Sequence, residues 1–373
     1  MINWMGGWPA DGLLAEAEWQ EKRQASSASA AEAIAYRLRR QETEKRLATL
    51  VLSGQLGPYW QPADDPGQWL LTDDADEALR LTTKTLLQPG DSVLVERPTS
   101  RTALQLFARA GAAVFEVPGS NEGMDPEALS DAIAAVKPRA VYVSLTCSDP
   151  AGCRWSDERR AALLRLCAQA GVALVLDERQ SLTCDWTTNL AAGEETGPAA
   201  IIGGLPSGLV SGMRFGWLQW TGWGASDPAF MPIPPARRPD RERDALHDRD
   251  ALLRYWSESS PIPALETLRF IYRTRHDLLA ERIVQAGIPG LICKQPEAGS
   301  HAWLKLPDGL EGEPLLKAAW LEGVLFQPGA GYYATAADRS RLRLTPVHSD
   351  EREISEGVKR LRLTIEAFTG RSG

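Results

Sequence analysis

Short apolar runs alternate with amphipathic helical segments from residue 69 onward, and this alternation restricts the fold more than any other feature of the chain. WLLTD (69–73), DSVLVERP (91–98), AVYVSLT (140–146) and ALVLDE (173–178) have the length and composition of strands. Helical patterns separate them, such as SDERRAALLRLCAQAG (156–171), where Ser156 is the expected N-cap. This order, with its short connections, predicts an α/β fold in which helices cover both faces of a mostly parallel sheet.

The pattern changes after Trp223. A Pro-rich irregular segment, DPAFMPIPPARRPD, is followed by two long helical patterns, roughly 240–257 and 262–286. HAWLKLP, VLFQPG and RLRLTP then predict strands that are mixed with helices. We therefore expect a large α/β domain over residues 46–264 and a smaller α+β domain formed by residues 1–45 and 265–373.

Composition excludes several classes of protein. The 373 residues carry a formal net charge of −8, and no run of Lys or Arg dominates a segment, so we expect no nucleic-acid partner. The N-terminus lacks the features of a signal peptide, and no window has the apolar length of a membrane span, so no membrane association is expected. The five cysteines form no CxxC pair, which favours a reduced, cytoplasmic protein without a metal site.

Several segments, in their order and spacing, resemble the class I/II aminotransferases. The segments that carry the resemblance include LLQPGDSVLVERPT, GMDPEALSDAI, GMRFGW and RLRLTPVHSDEREISEGVKRL. These aminotransferases are fold type I enzymes that use pyridoxal phosphate (PLP), and the similarity is greatest to the aminotransferase-like part of MocR-type proteins. It covers most of the chain but fails between about residues 25 and 65. It implies a large domain with a seven-stranded, mostly parallel sheet and a smaller α+β domain, and we expect no DNA-binding domain.

The position that corresponds to the family's Schiff-base lysine is Ser207, in GGLPSGLVSG. Serine cannot form an imine with PLP. The sequence has no lysine between Lys137 and Lys294, and SGMRFGW fixes the alignment a few residues downstream. The resemblance therefore implies a degenerate member that has lost its covalent cofactor attachment.

The positions that would hold the phosphate are also altered. The family's phosphate-binding turn corresponds to TDDADEAL (72–79), and its positions fall on Asp74, Ala75 and Asp76. Carboxylates suit a helix N-terminus but repel a phosphate dianion, at a cost on the order of 4 kcal/mol for two unit charges about 4 Å apart. Arg214 corresponds to a phosphate-binding arginine of the family and is retained.

The positions that would contact the cofactor ring are mostly replaced as well. The stacking aromatic corresponds to Ser100, the asparagine beside the ring hydroxyl to Asp149, and the tyrosine to Gln180. The aspartate that pairs with the pyridine nitrogen is retained as Asp177. We therefore expect no cofactor, with PLP or pyridoxamine phosphate (PMP) bound only if non-covalently.

One further position concerns the substrate. The arginine that binds the substrate carboxylate in the family corresponds to Arg343, with Arg341 less suited by register. Arg343, Arg214 and Asp177 are the expected ligand-binding residues.

Three functions remain open at this point. The first is a pseudoenzyme that binds a ligand, regulates, or serves as the non-catalytic subunit beside an aminotransferase paralogue. The second is an enzyme with PLP-independent chemistry on an amine- or amino-acid-like metabolite, with Asp177, Asp149 and Ser207 as candidate catalytic residues. The third is an aminotransferase that binds PLP or PMP non-covalently. The resemblance also implies a homodimer, or a heterodimer with the paralogue.

Overall fold

The computed structural model describes residues 1–6, 16–27, 33–52, 56, 68–185, 197–206, 209, 213–222 and 239–370. The helices are α1 (Glu16–Ser27), α2 (Ala33–Leu52), α3 (Ala75–Leu86), α4 (Arg101–Ala110), α5 (Pro126–Val136), α6 (Asp157–Ala170), α7 (Pro239–Glu258), α8 (Ile262–Ala286), α9 (Gly312–Leu321) and α10 (Glu351–Thr369). The strands are β1 (Ile2–Asn3), β2 (Gln68–Thr72), β3 (Ser92–Glu96), β4 (Ala113–Val117), β5 (Gly119–Ser120), β6 (Gly123–Met124), β7 (Ala140–Val143), β8 (Ala173–Asp177), β9 (Ala199–Gly204), β10 (Gly216–Thr221), β11 (Ile292–Lys294), β12 (Ala302–Lys305), β13 (Val324–Leu325), β14 (Gln327–Pro328) and β15 (Arg341–Leu344).

The main sheet of the described region has seven strands in the order β2-β10-β9-β8-β7-β3-β4. Strands β4, β3, β7, β8 and β9 run parallel, and β10 runs antiparallel to both of its neighbours. Apolar cores lie on both faces, and all five residues of β8 are buried. The prediction of a mostly parallel sheet covered on both sides is confirmed.

Side-chain caps fix where two helices near the cleft begin. Asp74 is the N-cap of α3, and its side chain accepts a hydrogen bond from the Glu77 backbone N–H at 2.8 Å. Ser156 caps α6 in the same way, accepting from the Arg159 N–H at 3.3 Å, as predicted. Because the caps satisfy N–H groups that the helix itself leaves free, they decide where each strand-to-helix turn ends.

The C-terminal part forms an antiparallel sheet in the order β11-β12-β15-β14, and its core includes residues of α8, α9 and α10. The N-terminus joins this core, because β1 pairs with β13 and Trp4 is fully buried. A Cβ atom at Gly357 would lie 2.3 Å from the Trp4 ring, so only glycine fits there. Helix α2 instead contributes Leu47 and Val51 to the core of the large sheet. The exact domain limits, 46–264 against 1–45 and 265–373, stay a prediction.

The segment that leads to the serine position begins in the main sheet. Gly203 and Gly204, which were not part of any predicted strand, end β9. Gly203 lies under the Trp217 indole of β10, where an added Cβ would lie 2.3 Å from the ring, so packing requires glycine at this position of the strand. Ser207 lies outside the described residues. Within the helices that the structure describes, none is long and apolar enough to cross a membrane.

Candidate functional site

A cavity of about 310 Å³ lies where α3 begins and where β8, β9 and β10 meet. In α/β sheets, ligands bind at the carboxyl ends of the parallel strands, and this cavity has that position. The sequence positions expected at the site that line it are Asp74, Ala75, Asp76, Gln180 and Arg214. The structure thus brings together residues that lie more than a hundred positions apart in the chain.

Asp177 ends β8 and is 3% exposed. Its Oδ1 and Oδ2 accept hydrogen bonds from Arg179 Nε at 2.8 and 3.0 Å, and Oδ2 also accepts from the Tyr142 hydroxyl at 2.8 Å. Burial, and after it the Asp177 charge, raises the pKa of Tyr142 well above its ordinary value, so the phenol stays protonated and donates. Both oxygens of this carboxylate are therefore already used by the chain itself.

Arg179 links the end of β8 to the beginning of α3. Its Nε contacts Asp177, and its Nη1 donates to Asp76, the second residue of α3. Burial lowers the pKa of Arg179, but the Asp177 carboxylate and then Asp76 outweigh burial and raise it above its ordinary value. A charged guanidinium thus lies in the cavity wall between two carboxylates.

The N-terminus of α3 is occupied by carboxylates of the same segment. Asp74 accepts from the Glu77 N–H, and Glu77 Oε2 accepts from the Asp73 N–H at 2.7 Å. Arg214 Nη1 lies 3.4 Å from Asp74 Oδ2, and its side chain is 69% exposed. The prediction of an acid-capped helix is confirmed, and Arg214 faces an aspartate at the rim of the cavity.

Arg343 lies on β15 and is 8% exposed. Its Nε lies 3.2 Å from Asp149 Oδ1, in the turn after β7, and its Nη2 donates to His301 Nε2. Burial, and then Arg343, holds the pKa of His301 well below its ordinary value, so the imidazole is neutral and can accept that bond. The two predicted residues Asp149 and Arg343 therefore form an ion pair that joins the two parts of the chain.

Other expected positions are less directly involved. Gln180 Nε2 lies 3.4 Å from His301 Nε2 and connects the cavity wall to the Arg343 pair. Ser100 is buried at the N-cap position of α4, its side chain makes no cap hydrogen bond, and it is not among the residues described as lining the cavity. Ser207 cannot be placed, because it lies outside the described part of the chain.

Two glutamates, Glu96 buried and Glu178 half-buried, contact the turn that follows β7. Glu96 accepts from the Ser144 N–H at 3.1 Å and from Trp155 Nε1 at 2.6 Å, and Glu178 accepts from the Leu145 N–H at 2.9 Å. Burial raises the pKa of each to about 7. Since their oxygens receive the first N–H groups beyond β7, these carboxyls hold the turn that leads to Asp149.

Sequence reasoning missed three residues of this site: Arg179, Tyr142 and His301. The available signal for Arg179 was its place in LVLDERQ, two residues beyond the retained aspartate, where a cation can turn back onto the carboxylate. The four histidines are scattered along the sequence without a site-like spacing, and only folding places His301 against Arg343. Tyr142 carries no local signal, because it reaches Asp177 from the neighbouring strand.

As arranged, these residues do not fit the pyridoxal phosphate that the resemblance implies. A pyridine nitrogen would need an oxygen of Asp177, and Arg179 and Tyr142 already hold both. A phosphate would need N–H groups at the beginning of α3, where the Asp74 carboxylate already accepts from the Glu77 N–H. The Glu77 carboxylate, which accepts from the Asp73 N–H just before the helix, adds further negative charge.

Comparison with known proteins agrees with the fold. The structure of the alpha-aminoadipate aminotransferase of Thermus thermophilus, solved with N-(5'-phosphopyridoxyl)-L-leucine, superposes with a TM-score of 0.79 at 21% identity, covering 100% of this chain and 93% of that one. At this identity the likeness shows the fold alone.

Sequence relatives extend the comparison beyond the fold. Aromatic-amino-acid aminotransferase 1 of Thermococcus litoralis is 26% identical over 311 residues, which are 80% of this chain and 72% of that protein. The 2-aminoadipate transaminase of Thermus thermophilus is 26% identical over 313 residues, or 81% and 76% of the two chains. The family model "Aminotransferase class I and II" matches residues 5–199, which is more than half of the chain. This chain therefore belongs to the class I and II aminotransferase family.

Proposed function

We propose that this protein is a pseudoenzyme of the aminotransferase family, in which the former cofactor cleft binds a small amine without PLP. The observation that carries the proposal is the bridge from Asp177 through Arg179 to Asp76. A cation of the chain itself pairs with the carboxylate that a pyridinium would need. Ser207, at the sequence position of the family's Schiff-base lysine, cannot form the covalent attachment.

The charges around the cavity favour a cationic ligand. Asp74 and Asp76 line the cavity, as do the guanidiniums of Arg179 and Arg214. Asp177, which is buried and paired with Arg179, adds a third carboxylate beside these two cations. Arg214 is mostly exposed, so solvent weakens its effect inside the cavity. An ammonium group could pair with Asp74 or with the exposed side of Asp76 without separating Asp177 from Arg179.

Binding is a better-supported role than PLP-independent acid–base catalysis. The candidate bases Asp177 and Asp149 are both paired with arginines of the chain, and neither is among the described residues that line the cavity. Turnover of an amine by the purified protein, lost in Asp177→Ala with folding intact, would reverse this order of preference. Assembly as a homodimer, or with a catalytic paralogue as a non-catalytic subunit, belongs to the same proposal.

The test is a thermal-shift and calorimetric screen of small amines, with PLP and PMP as comparison ligands. We expect an amine to bind and Asp76→Asn to weaken it, because this change removes a carboxylate of the cavity wall. Arg339→Ala, an exposed residue of the C-terminal part, serves as the control and should leave binding unchanged. Tight binding of PLP or PMP, with no amine bound in its absence, would contradict the proposal and favour the non-covalent aminotransferase.

A further inference from the structure

Arg343 carries a buried guanidinium that is paired with a carboxylate of the same chain. Asp149 Oδ1 lies 3.2 Å from its Nε, and the side chains are 10% and 21% exposed. Neither of these two buried atoms has a hydrogen-bond partner within the described residues, so they face each other as charges and not as an aligned hydrogen bond. Within the described part of the chain, Arg343 also contacts two neutral groups, His301 and the Tyr332 ring, whose centroid lies 5.5 Å from the guanidinium carbon.

The cavity ends before it reaches this pair. Gln180 and Ser300 form its wall on this side, and Arg343 does not appear among the described residues that line it. His301 stands between them, 3.4 Å from Gln180 Nε2 and in contact with Arg343. A ligand in the cavity therefore meets amide and hydroxyl groups where it would otherwise meet a free cation.

We infer that Asp149 determines ligand specificity, because its carboxylate pairs with Arg343 in place of a ligand carboxylate. The cleft consequently selects amines that carry no carboxylate at this end. A ligand carboxylate could reach Arg343 only by displacing Asp149, which would leave an aspartate without its counter-ion in a largely buried place. The inference replaces the carboxylate-binding role expected for Arg343. It rests on the proposed function, because it requires that the cleft binds a small amine.

The experiment compares L-leucine with isoamylamine, two molecules that differ by one carboxylate. The parent protein should bind isoamylamine at least as tightly as L-leucine by calorimetry. Asp149→Asn frees Arg343 and should improve L-leucine binding relative to isoamylamine by about tenfold or more, the factor expected for one charge-assisted contact. Arg343→Gln added to Asp149→Asn should abolish this gain.

The matched control is Asp338→Asn, which frees Arg341 on the same strand from an ion pair of 2.7 Å. It makes the same change of charge outside the cleft and should leave the ratio of the two affinities unchanged. If Asp149→Asn does not fold, Asp149→Ser provides the same comparison, and the preference of the parent protein can be measured without any variant.

Several outcomes would overturn the inference. They are tighter binding of L-leucine than of isoamylamine by the parent protein, a folded Asp149→Asn protein that gains nothing for L-leucine, or an equal gain in Asp338→Asn. If no variant gains L-leucine binding but isoamylamine binds, only this inference fails. If no amine binds to any of the proteins, the proposed function fails as well.

Discussion

Replacing Arg179 by alanine tests whether the guanidinium holds the cleft together. The change removes the partner of Asp177, a carboxylate that is only 3% exposed and retains the Tyr142 hydroxyl. Removing one member of a buried ion pair leaves an uncompensated charge and typically costs about 3–5 kcal/mol. Since the Arg179 side chain is itself 22% exposed, we expect the lower end of this range, about 3 kcal/mol.

The measurement is the free energy of unfolding from urea titrations at neutral pH, followed by circular dichroism. Arg214→Ala is the matched control, because it removes an arginine of the same cavity whose side chain is 69% exposed. It should cost no more than about 1 kcal/mol. Adding Asp177→Asn to Arg179→Ala removes the stranded charge and should restore part of the loss, which gives a coupling energy for the pair.

Two results would refute this reasoning. One is an Arg179→Ala protein that is as stable as Arg214→Ala. The other is a double variant whose loss equals the sum of the two single losses, because the two residues would then not interact. Either result would mean that the Asp177 carboxylate is satisfied without Arg179.

Three further predictions concern local features. Burial raises the pKa of Glu96 from 4.5 to about 7. The protonated carboxyl therefore stabilises the fold fully below pH 4.5, and this contribution is lost as the pH rises through 7. Glu96→Gln cannot ionise, so its free energy of unfolding should increase relative to that of the parent protein as the pH rises. The difference between the two proteins should change by on the order of 2–3 kcal/mol between about pH 5 and pH 8, and a constant difference would contradict the raised pKa. Gly216→Ala should lower the melting temperature much more than Gly204→Ala. A Cβ at Gly216 would lie 2.4 Å from the Asp74 backbone, whereas one at Gly204 would lie 3.2 Å from the Ala75 side chain. Equal melting temperatures of the two variants would show that the strand can shift. Asp74→Ala should cost about 1 kcal/mol of unfolding free energy through the lost helix cap, and no loss would mean that this carboxylate is not a cap.

The elements of the fold were predictable where local signals agreed. The two long helices predicted near 240–257 and 262–286 occur as α7 and α8, and Ser156 begins α6. These segments combine helical periodicity with a cap or a break at each end. Strand β9 was not recognised, because AAIIGG ends in two glycines, and the need for the first of them, Gly203, appears only when the Trp217 ring packs on it.

The site was predictable only in part. The positions of Asp74, Asp76, Asp177 and Arg214 followed from the resemblance, since each is fixed by a strand end or a helix start. The partners of these residues did not follow. Arg179 meets Asp76 across 103 positions of the chain, and such a contact depends on how β8 and α3 are placed relative to each other.

The same limit applies to the second arginine pair. The sequence places Asp149 in a turn and Arg343 on a strand nearly two hundred residues later. Each was interpreted by its own alignment with the family, as a ring contact and as a ligand contact. Only the fold reveals that the two charges face each other. From the sequence alone, Arg343 was therefore expected to be free to bind the carboxylate of a ligand.

The central claim is that side chains of the cleft pair with each other and do not hold PLP. Covalent capture of PLP tests this claim most directly. The purified protein is incubated with PLP, reduced with borohydride, and its intact mass and modified peptides are measured beside a catalytic family member. We predict no stoichiometric phosphopyridoxyl adduct at any single lysine, while the family member gains one adduct per chain. A stoichiometric adduct at one lysine of this protein would contradict the account.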